Sequence, residues 1–226
     1  MTCHEVIDWH TPATDYGEET VGNHRLAKMV CRPGVRRHMP ILGRTATSFR
    51  QPVTLTVLQE MHTGRWHDWM ADDPYDYWAM QVYARAAHGK VVTAGLGLGL
   101  LAHELFNNPM VTSITILERS ADVVALVYGY LPADDRLSLI VGDYWEYLES
   151  GSNFDTIITD TWRAVNSHDL WALFSREVTP ARDWLRAKYP AATLVFHGFP
   201  GASDIPLSEP VSPIESWAKP REAVHA

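Results

Sequence analysis

Ten residues, Val91-Val-Thr-Ala-Gly-Leu-Gly-Leu-Gly-Leu100, constrain this chain more than any others. A short β-branched run leads into three glycines at alternate positions, and the apolar segment Leu100-Leu-Ala-His-Glu-Leu105 follows at once. That order predicts a buried strand, a tight turn and the opening of a helix. Gly95, Gly97 and Gly99 tolerate positive φ and put no Cβ in the way of a bound molecule. The turn is therefore a candidate cradle for a nucleotide-like ligand, with a turn that is glycine-rich only for packing as the plain alternative. A dinucleotide site needs Gly-x-Gly-x-x-Gly, with a pyrophosphate on the helix N-terminus. Here the third glycine falls one residue early and Leu100 stands in its place.

The segments that follow repeat the alternation of strand and helix. Thr112–Glu118 reads as a second strand, ending on a carboxylate about 20 residues after the glycines, where a ribose partner is expected. Ala121–Tyr128 has a helical pattern. Arg136–Val141 is a third strand running into Gly142-Asp143-Tyr144-Trp145, Phe154–Thr159 a fourth running into Asp160, and Thr193–His197 a fifth. Short apolar strands separated by helices predict an α/β fold, a Rossmann-like, mainly parallel open sheet covered by helices on both faces. In such sheets ligands bind beyond the carboxyl ends of the strands, so Glu118, Asp143 and Asp160 are expected to share one cleft.

From Lys90 to Trp162 the chain resembles the class I S-adenosylmethionine (SAM)-dependent methyltransferases, most of all their spermidine-synthase-like branch. The resemblance rests on four segments in order: Val91–Gly99, Asn108–Glu118, Asp135–Tyr144 and Phe154–Asp160. It implies a strand order of 3-2-1-4-5 and SAM as cofactor. It also implies that Gly95, Gly97 and Gly99 support the cofactor's amino-acid end, that Glu118 holds the ribose, that Asp143 with its neighbour Tyr144 meets the adenine, and that Asp160 faces the substrate. The chain departs from the aminopropyltransferase pattern at two positions. Leu98 replaces an acid inside the glycine turn, and Arg163 stands where a second substrate-side acid belongs. Transfer of an aminopropyl group to a polyamine cation is therefore disfavoured.

At 226 residues and 46% hydrophobic content, a single domain of this size buries roughly 70% of the surface its unfolded chain exposes. No apolar run approaches the ~20 residues of a membrane span, and the N-terminus lacks the pattern of a secretory signal. Cys3 and Cys31 form no Cys-x-x-Cys pair and read as free thiols of a cytoplasmic protein. A net charge of −8 argues against nucleic acid or an anionic membrane as principal partner. The expected partner is a small-molecule acceptor.

Four regions are expected. Residues 1–50, with the basic cluster Arg32, Arg36 and Arg37, read as an irregular extension. Residues 51–88 read as a β-hairpin and a leading helix, with Asp73 as N-cap and Pro74 at the first position. Residues 89–200 form the SAM-binding domain, in which Ser167 and Thr179-Pro180 look like helix starts. Residues 201–226 are a proline-rich tail with no alternating run, so the sheet is expected to be truncated at its C-terminal edge, with that edge covered by the tail, by the N-terminal extension or by the second subunit of a homodimer.

Three residues are candidates for chemistry on the acceptor: Asp160 at the end of the fourth strand, His197 at the end of the fifth, and Tyr77 on the leading helix. Tyr77, Trp78 and Trp162 could box a cation or a planar substrate, although core packing accounts for most of the nine tryptophans. His62, His67 and Asp68 flank a turn and complete no tetrahedral ligand set, so no metal is expected. These features together suggest a SAM-dependent methyltransferase acting on a small molecule. A non-catalytic binding or assembly module of the same fold is the first alternative and an aminopropyltransferase-like enzyme a weaker one.

Overall fold

The computed structural model describes residues 2–6, 8–35, 37–38, 45–162, 174–199 and 201–205. Arg36, Arg163, Ser167 and the tail beyond residue 205 lie outside the described residues. No described helix is long and apolar enough to cross a membrane.

The first fifty residues correct the sequence-based expectation of an irregular extension, because they hold five strands. β1 (Thr2–Val6) runs parallel to β5 (Thr45–Phe49), which also pairs with the two-residue β4 (Arg37–His38). β2 (Glu19–Val21) and β3 (His24–Cys31) form a hairpin closed by Gly22-Asn23. Gly-Asn is a recognised two-residue turn signal, but the flanking strands are half-buried and polar, which hides their alternation. β3 pairs in turn with β6 (Val53–His62), and β6 with β7 (Arg65–Ala71), giving an antiparallel sheet ordered β2-β3-β6-β7. Thr63 (φ 49°) and Gly64 (φ 77°) make the β6–β7 turn with two positive φ values, which suits the right-handed twist of the strands.

A buried carboxylate fastens the N-terminal segment to this sheet. Asp72 accepts from the Thr56 amide at 2.7 Å and from the Thr11 hydroxyl at 2.6 Å, and its carbonyl accepts from the Trp9 indole at 3.0 Å. The Thr56 hydroxyl donates to the Ala13 carbonyl, and Lys28 Nζ donates both to Thr56 Oγ1 and to the Thr14 carbonyl. Residues 9–14 are thereby held against β6, next to the start of the leading helix.

That helix, α1 (Pro74–Ala86), begins as the sequence predicts: Asp73 accepts from the amides of Tyr75 and Asp76, with Pro74 in the first turn. The parallel domain follows as β8 (Gly89–Ala94), α2 (Leu100–Phe106), β9 (Val111–Glu118), α3 (Ala121–Val127), β10 (Leu137–Val141), α4 (Tyr144–Glu149) and β11 (Thr156–Thr159). A π-helical turn (Phe174–Val178), α5 (Thr179–Lys188) and β12 (Thr193–Phe196) come next. The strands are all parallel, in the order β10-β9-β8-β11-β12, which is the expected 3-2-1-4-5.

Adjacent residues of each strand serve opposite faces. Val91, Ile158 and Val195 pack with α1, α2 and α3, whereas Val92, Ile157 and Leu194 pack with α4 and α5. Burial on both faces explains why these strands read as continuous apolar runs.

The outer edge of β12 is covered by the chain itself. The outward amides of Leu194 and Phe196 donate to the side chains of Asp204 and Ser203, and the Asp204 amide returns a bond to the Leu194 carbonyl. Two side chains of the tail thus stand in for a neighbouring strand at these positions, which is one of the covers expected from the sequence.

Burial raises Asp72 from 3.8 to about 6, against the smaller opposing effect of its hydrogen bonds. The native state therefore holds this proton more tightly than the unfolded chain. Stability contributed by protonated Asp72 is full below pH 4, is lost as pH rises towards 6 and is constant above that. Asp72→Asn should remove a slope of about 3 kcal/mol over this window. Urea denaturation of both proteins between pH 4 and 7 checks it.

Candidate functional site

The turn after β8 takes the form its glycines allow. Gly95, Gly97 and Gly99 have φ of 79°, 53° and 72°, values that cost other residues dearly. The intervening side chains of Leu96 and Leu98 are buried and pin the turn to the core. The Gly95 amide donates to the Leu117 carbonyl, while the Gly99 amide closes back on Leu96 at 2.8 Å. The glycines differ in what surrounds them. A Cβ at Gly99 would lie 2.7 Å from Leu131 and 3.3 Å from Val127, so tight packing requires that glycine. A Cβ at Gly95 would meet only the Asp160 carbonyl, at 3.8 Å. Above Gly97 sits the thioether of Met70, whose sulfur accepts from the Leu98 amide at 3.3 Å.

Glu118 ends β9 beside this turn. One carboxylate oxygen accepts from the Leu96 amide and the other from the Ser120 amide, both at 2.8 Å. Each oxygen retains a lone pair for a further donor. Glu118 pairs in register with Val141 at the end of β10, and Gly142 donates to the Glu118 carbonyl. One residue on, Asp143 caps α4, using a single oxygen, Oδ1, for the amides of Trp145 and Glu146. Its carboxyl group is exposed. Asp160 follows β11, is exposed, and its backbone borders Gly95. The glycine turn, Glu118, Asp143 and Asp160 therefore occupy neighbouring strand ends on one rim.

Tyr144 is not on that rim. Helical geometry turns it about 100° from Asp143, into the α4–α5 face, where it is buried and its hydroxyl lies 2.9 Å from Thr159 Oγ1. Tyr77 also corrects the expectation. It is buried against Trp9 and donates to Glu104 on α2 at 2.7 Å, away from Asp160 and His197. The box of Tyr77, Trp78 and Trp162 does not assemble either: Trp78 belongs to the core on the α1 face, whereas Trp162 packs on Phe196 and Phe199 on the other.

His197 has different neighbours from those the sequence suggested. Its ring meets Tyr83 edge-on at 5.8 Å and Tyr75 at 6.3 Å, and its Nε2 lies 3.9 Å from Asp76. Tyr75 and Tyr83 stand eight residues apart on one face of α1, about 120–160° around the helix from Tyr77. Burial, reinforced by Asp76 and Asp160, raises the pKa of both phenols, so both remain hydrogen-bond donors. The Tyr75 hydroxyl, Gln81 Oε1 and His197 Nδ1 are buried without a hydrogen-bond partner among the described residues, while the Tyr83 hydroxyl lies against the Gly198 amide. Buried polar atoms are rarely left so, and those of Tyr75 and His197 lie near Asp76 and Asp160. The spacing of Tyr75, Ala79 and Tyr83 along one helix face carried the signal.

A scan of protein-family models gives no match, and a search of curated proteins finds no relative. Among solved structures, the chain is similar to a spermidine synthase in complex with the transition-state analogue AdoDATO (14% identity, TM-score 0.45, covering 79% of this chain and 56% of that one). It is also similar to precorrin 8w decarboxylase of Methanobacterium thermoautotrophicum (16%, TM-score 0.38, 53% and 59%). A third is precorrin-6y C5,15-methyltransferase of Geobacter metallireducens (12%, TM-score 0.37, 52% and 59%). The chain thus spans little more than half the length of each of them. The parallel sheet and the site both stand on this chain's own residues.

Glu118→Ala would leave the Leu96 and Ser120 amides unpaired, and should cost about 2–3 kcal/mol of stability. Asp143→Ala, which removes an exposed helix cap, should cost about 1 kcal/mol. Chemical denaturation of the two variants checks the order.

Proposed function

We propose that the protein binds SAM at the glycine rim and transfers its methyl group to a small-molecule acceptor. The observation that carries this is the convergence of a turn with three positive-φ glycines, Glu118, Asp143 and Asp160 on one rim. The residues fit the group in most respects. The remaining lone pairs of Glu118 suit ribose hydroxyls, and the Asp143 carboxyl group, which uses only Oδ1 for capping, suits an exocyclic amine. The glycine turn suits the amino-acid end, provided that Met70 moves. Its three rotatable side-chain bonds make that inexpensive.

When bound, SAM supplies an electrophilic methyl carbon on a sulfonium. This chain's residues would have to align the acceptor's lone pair with that carbon, opposite the sulfonium sulfur that leaves, and to accept the acceptor's proton. In-line displacement needs alignment above all, worth up to roughly 7–11 kcal/mol in favourable systems. Tyr75 and Tyr83 would orient the acceptor as donors. Asp160 would hold its nucleophilic group near the rim, and His197 would take the proton at Nδ1 with Asp76 facing Nε2.

Met70 favours a second reading, a non-catalytic module of the same fold, because its sulfur already occupies the Leu98 amide. Leu98, wholly buried where an aminopropyltransferase carries an acid, gives no support to that third activity.

Titration calorimetry with SAM and with its demethylated product tests the proposal. Binding is expected for the wild type. Gly97→Val should abolish it, since a side chain there meets Met70 and closes the turn. Met70→Ala should tighten it several-fold, and Asp160→Ala should leave it unchanged. No heat from a folded wild-type protein at high ligand concentration would refute the cofactor assignment. Unchanged affinity in Met70→Ala would refute the contact's role.

A further inference from the structure

A cleft on the opposite side of the parallel sheet from α1 has a chemistry that methyl transfer does not use. It is lined by Trp145 and Glu149 of α4, by Trp162 after β11, by Glu177 of the π-helical turn, and by Ala181 and Trp184 of α5. Its volume is about 340 Å³, enough for a small organic ligand. Trp145 is the central ring, with its centroid 6.2 Å from Trp162 (planes at 59°) and 6.1 Å from Trp184 (planes at 70°). The three indoles are inclined to one another and half-buried, so each leaves part of its surface at the cleft.

The sequence places these groups together by helical spacing. Trp145 and Glu149 are four residues apart, as are Glu177 and Ala181, and Trp184 follows three later. Each helix therefore presents an aromatic ring and a carboxylate along the same face, and the small side chain of Ala181 keeps the space between them open. Glu149 and Glu177 are both exposed at the cleft. If these tryptophans only filled the core, apolar neighbours would be expected at the mouth, where there are two negative charges. Indole faces carry negative electrostatic potential and attract cations, most of all alkylated ammonium groups, which lose little hydration on entry. The chain already uses one of these rings so: Lys188, which does not line the cleft, holds its ammonium 5.3 Å from the Trp184 centroid.

We propose that this cleft is a binding site for a small quaternary ammonium compound, with the Trp145, Trp162 and Trp184 rings around the cationic head and Glu149 and Glu177 supplying counter-charge at the mouth. None of Gly95, Gly97, Gly99, Glu118, Asp143 and Asp160 lines it, and its test does not require SAM.

Choline is the probe, and its neutral carbon isostere, with tert-butyl in place of trimethylammonium, is the control. Tryptophan fluorescence and titration calorimetry are read on the full chain. Choline should bind saturably and at least about fivefold more tightly than the isostere. Glu177→Gln, an exposed substitution that leaves the core alone, should weaken choline several-fold and leave the isostere unchanged. Trp184→Phe should weaken choline, because a smaller ring keeps the shape but not the full potential. Equal affinity for choline and isostere would overturn the proposal by showing an apolar cleft only. So would choline binding that neither substitution alters, or no saturable binding by the folded wild type.

Discussion

One hydrogen bond organises the parallel half of this molecule: the Leu96 amide, inside a turn with no side chains at alternate positions, donates to the carboxylate that ends the neighbouring strand. The turn must leave β8 sharply to start α2, and its amides cannot all find partners in the sheet. Glu118 supplies one partner and fixes the distance between the first two strand ends. Its own carbonyl receives Gly142, which brings the third strand end into line. A carboxylate buried for this purpose is costly unless donors surround it, and those same donors leave lone pairs directed at the rim. The features that make the turn foldable are thus also the ones proposed to receive hydroxyl-bearing ligands.

The two faces of the sheet then serve different ends. On the α1 face, the Tyr75 hydroxyl and His197 Nδ1 are buried without partners among the described residues near Asp160, an arrangement that is unfavourable in the empty protein and favourable around a polar ligand. On the α4–α5 face, aromatic rings and exposed carboxylates surround an open cleft. Between them lies a core in which successive residues of every strand alternate sides, so neither site is assembled at the other's expense.

The parallel strands and their order were legible because burial on both faces leaves uninterrupted apolar runs, each ended by a glycine or an acid. Glu118, Asp143 and Asp160 could be placed on one rim because in parallel sheets all strand ends of one kind point the same way. Helix phase was harder to read. Tyr77 lay close to the expected family position, yet Tyr75 and Tyr83 are the residues beside His197, and only the packing of α1 on β12 settles which face looks inward. Tyr144 failed for the same reason, being next to Asp143 in sequence and a quarter-turn away in space. The N-terminal strands were missed because runs of two to eight residues with mixed polarity carry little periodic signal. The tail was among the covers expected for the edge of β12, but the means was not legible: Ser203 and Asp204 cap it through side-chain contacts that no periodicity encodes.

The central claim is that one rim, built from three successive strand ends, receives an adenosyl sulfonium. Backbone amide chemical shifts recorded during a SAM titration test it most directly. The account predicts that residues 95–99, 118–120 and 143–145 shift together and saturate at one shared affinity, with Met70 moving in step. Shifts confined to any other surface, or none in a folded protein, would contradict it.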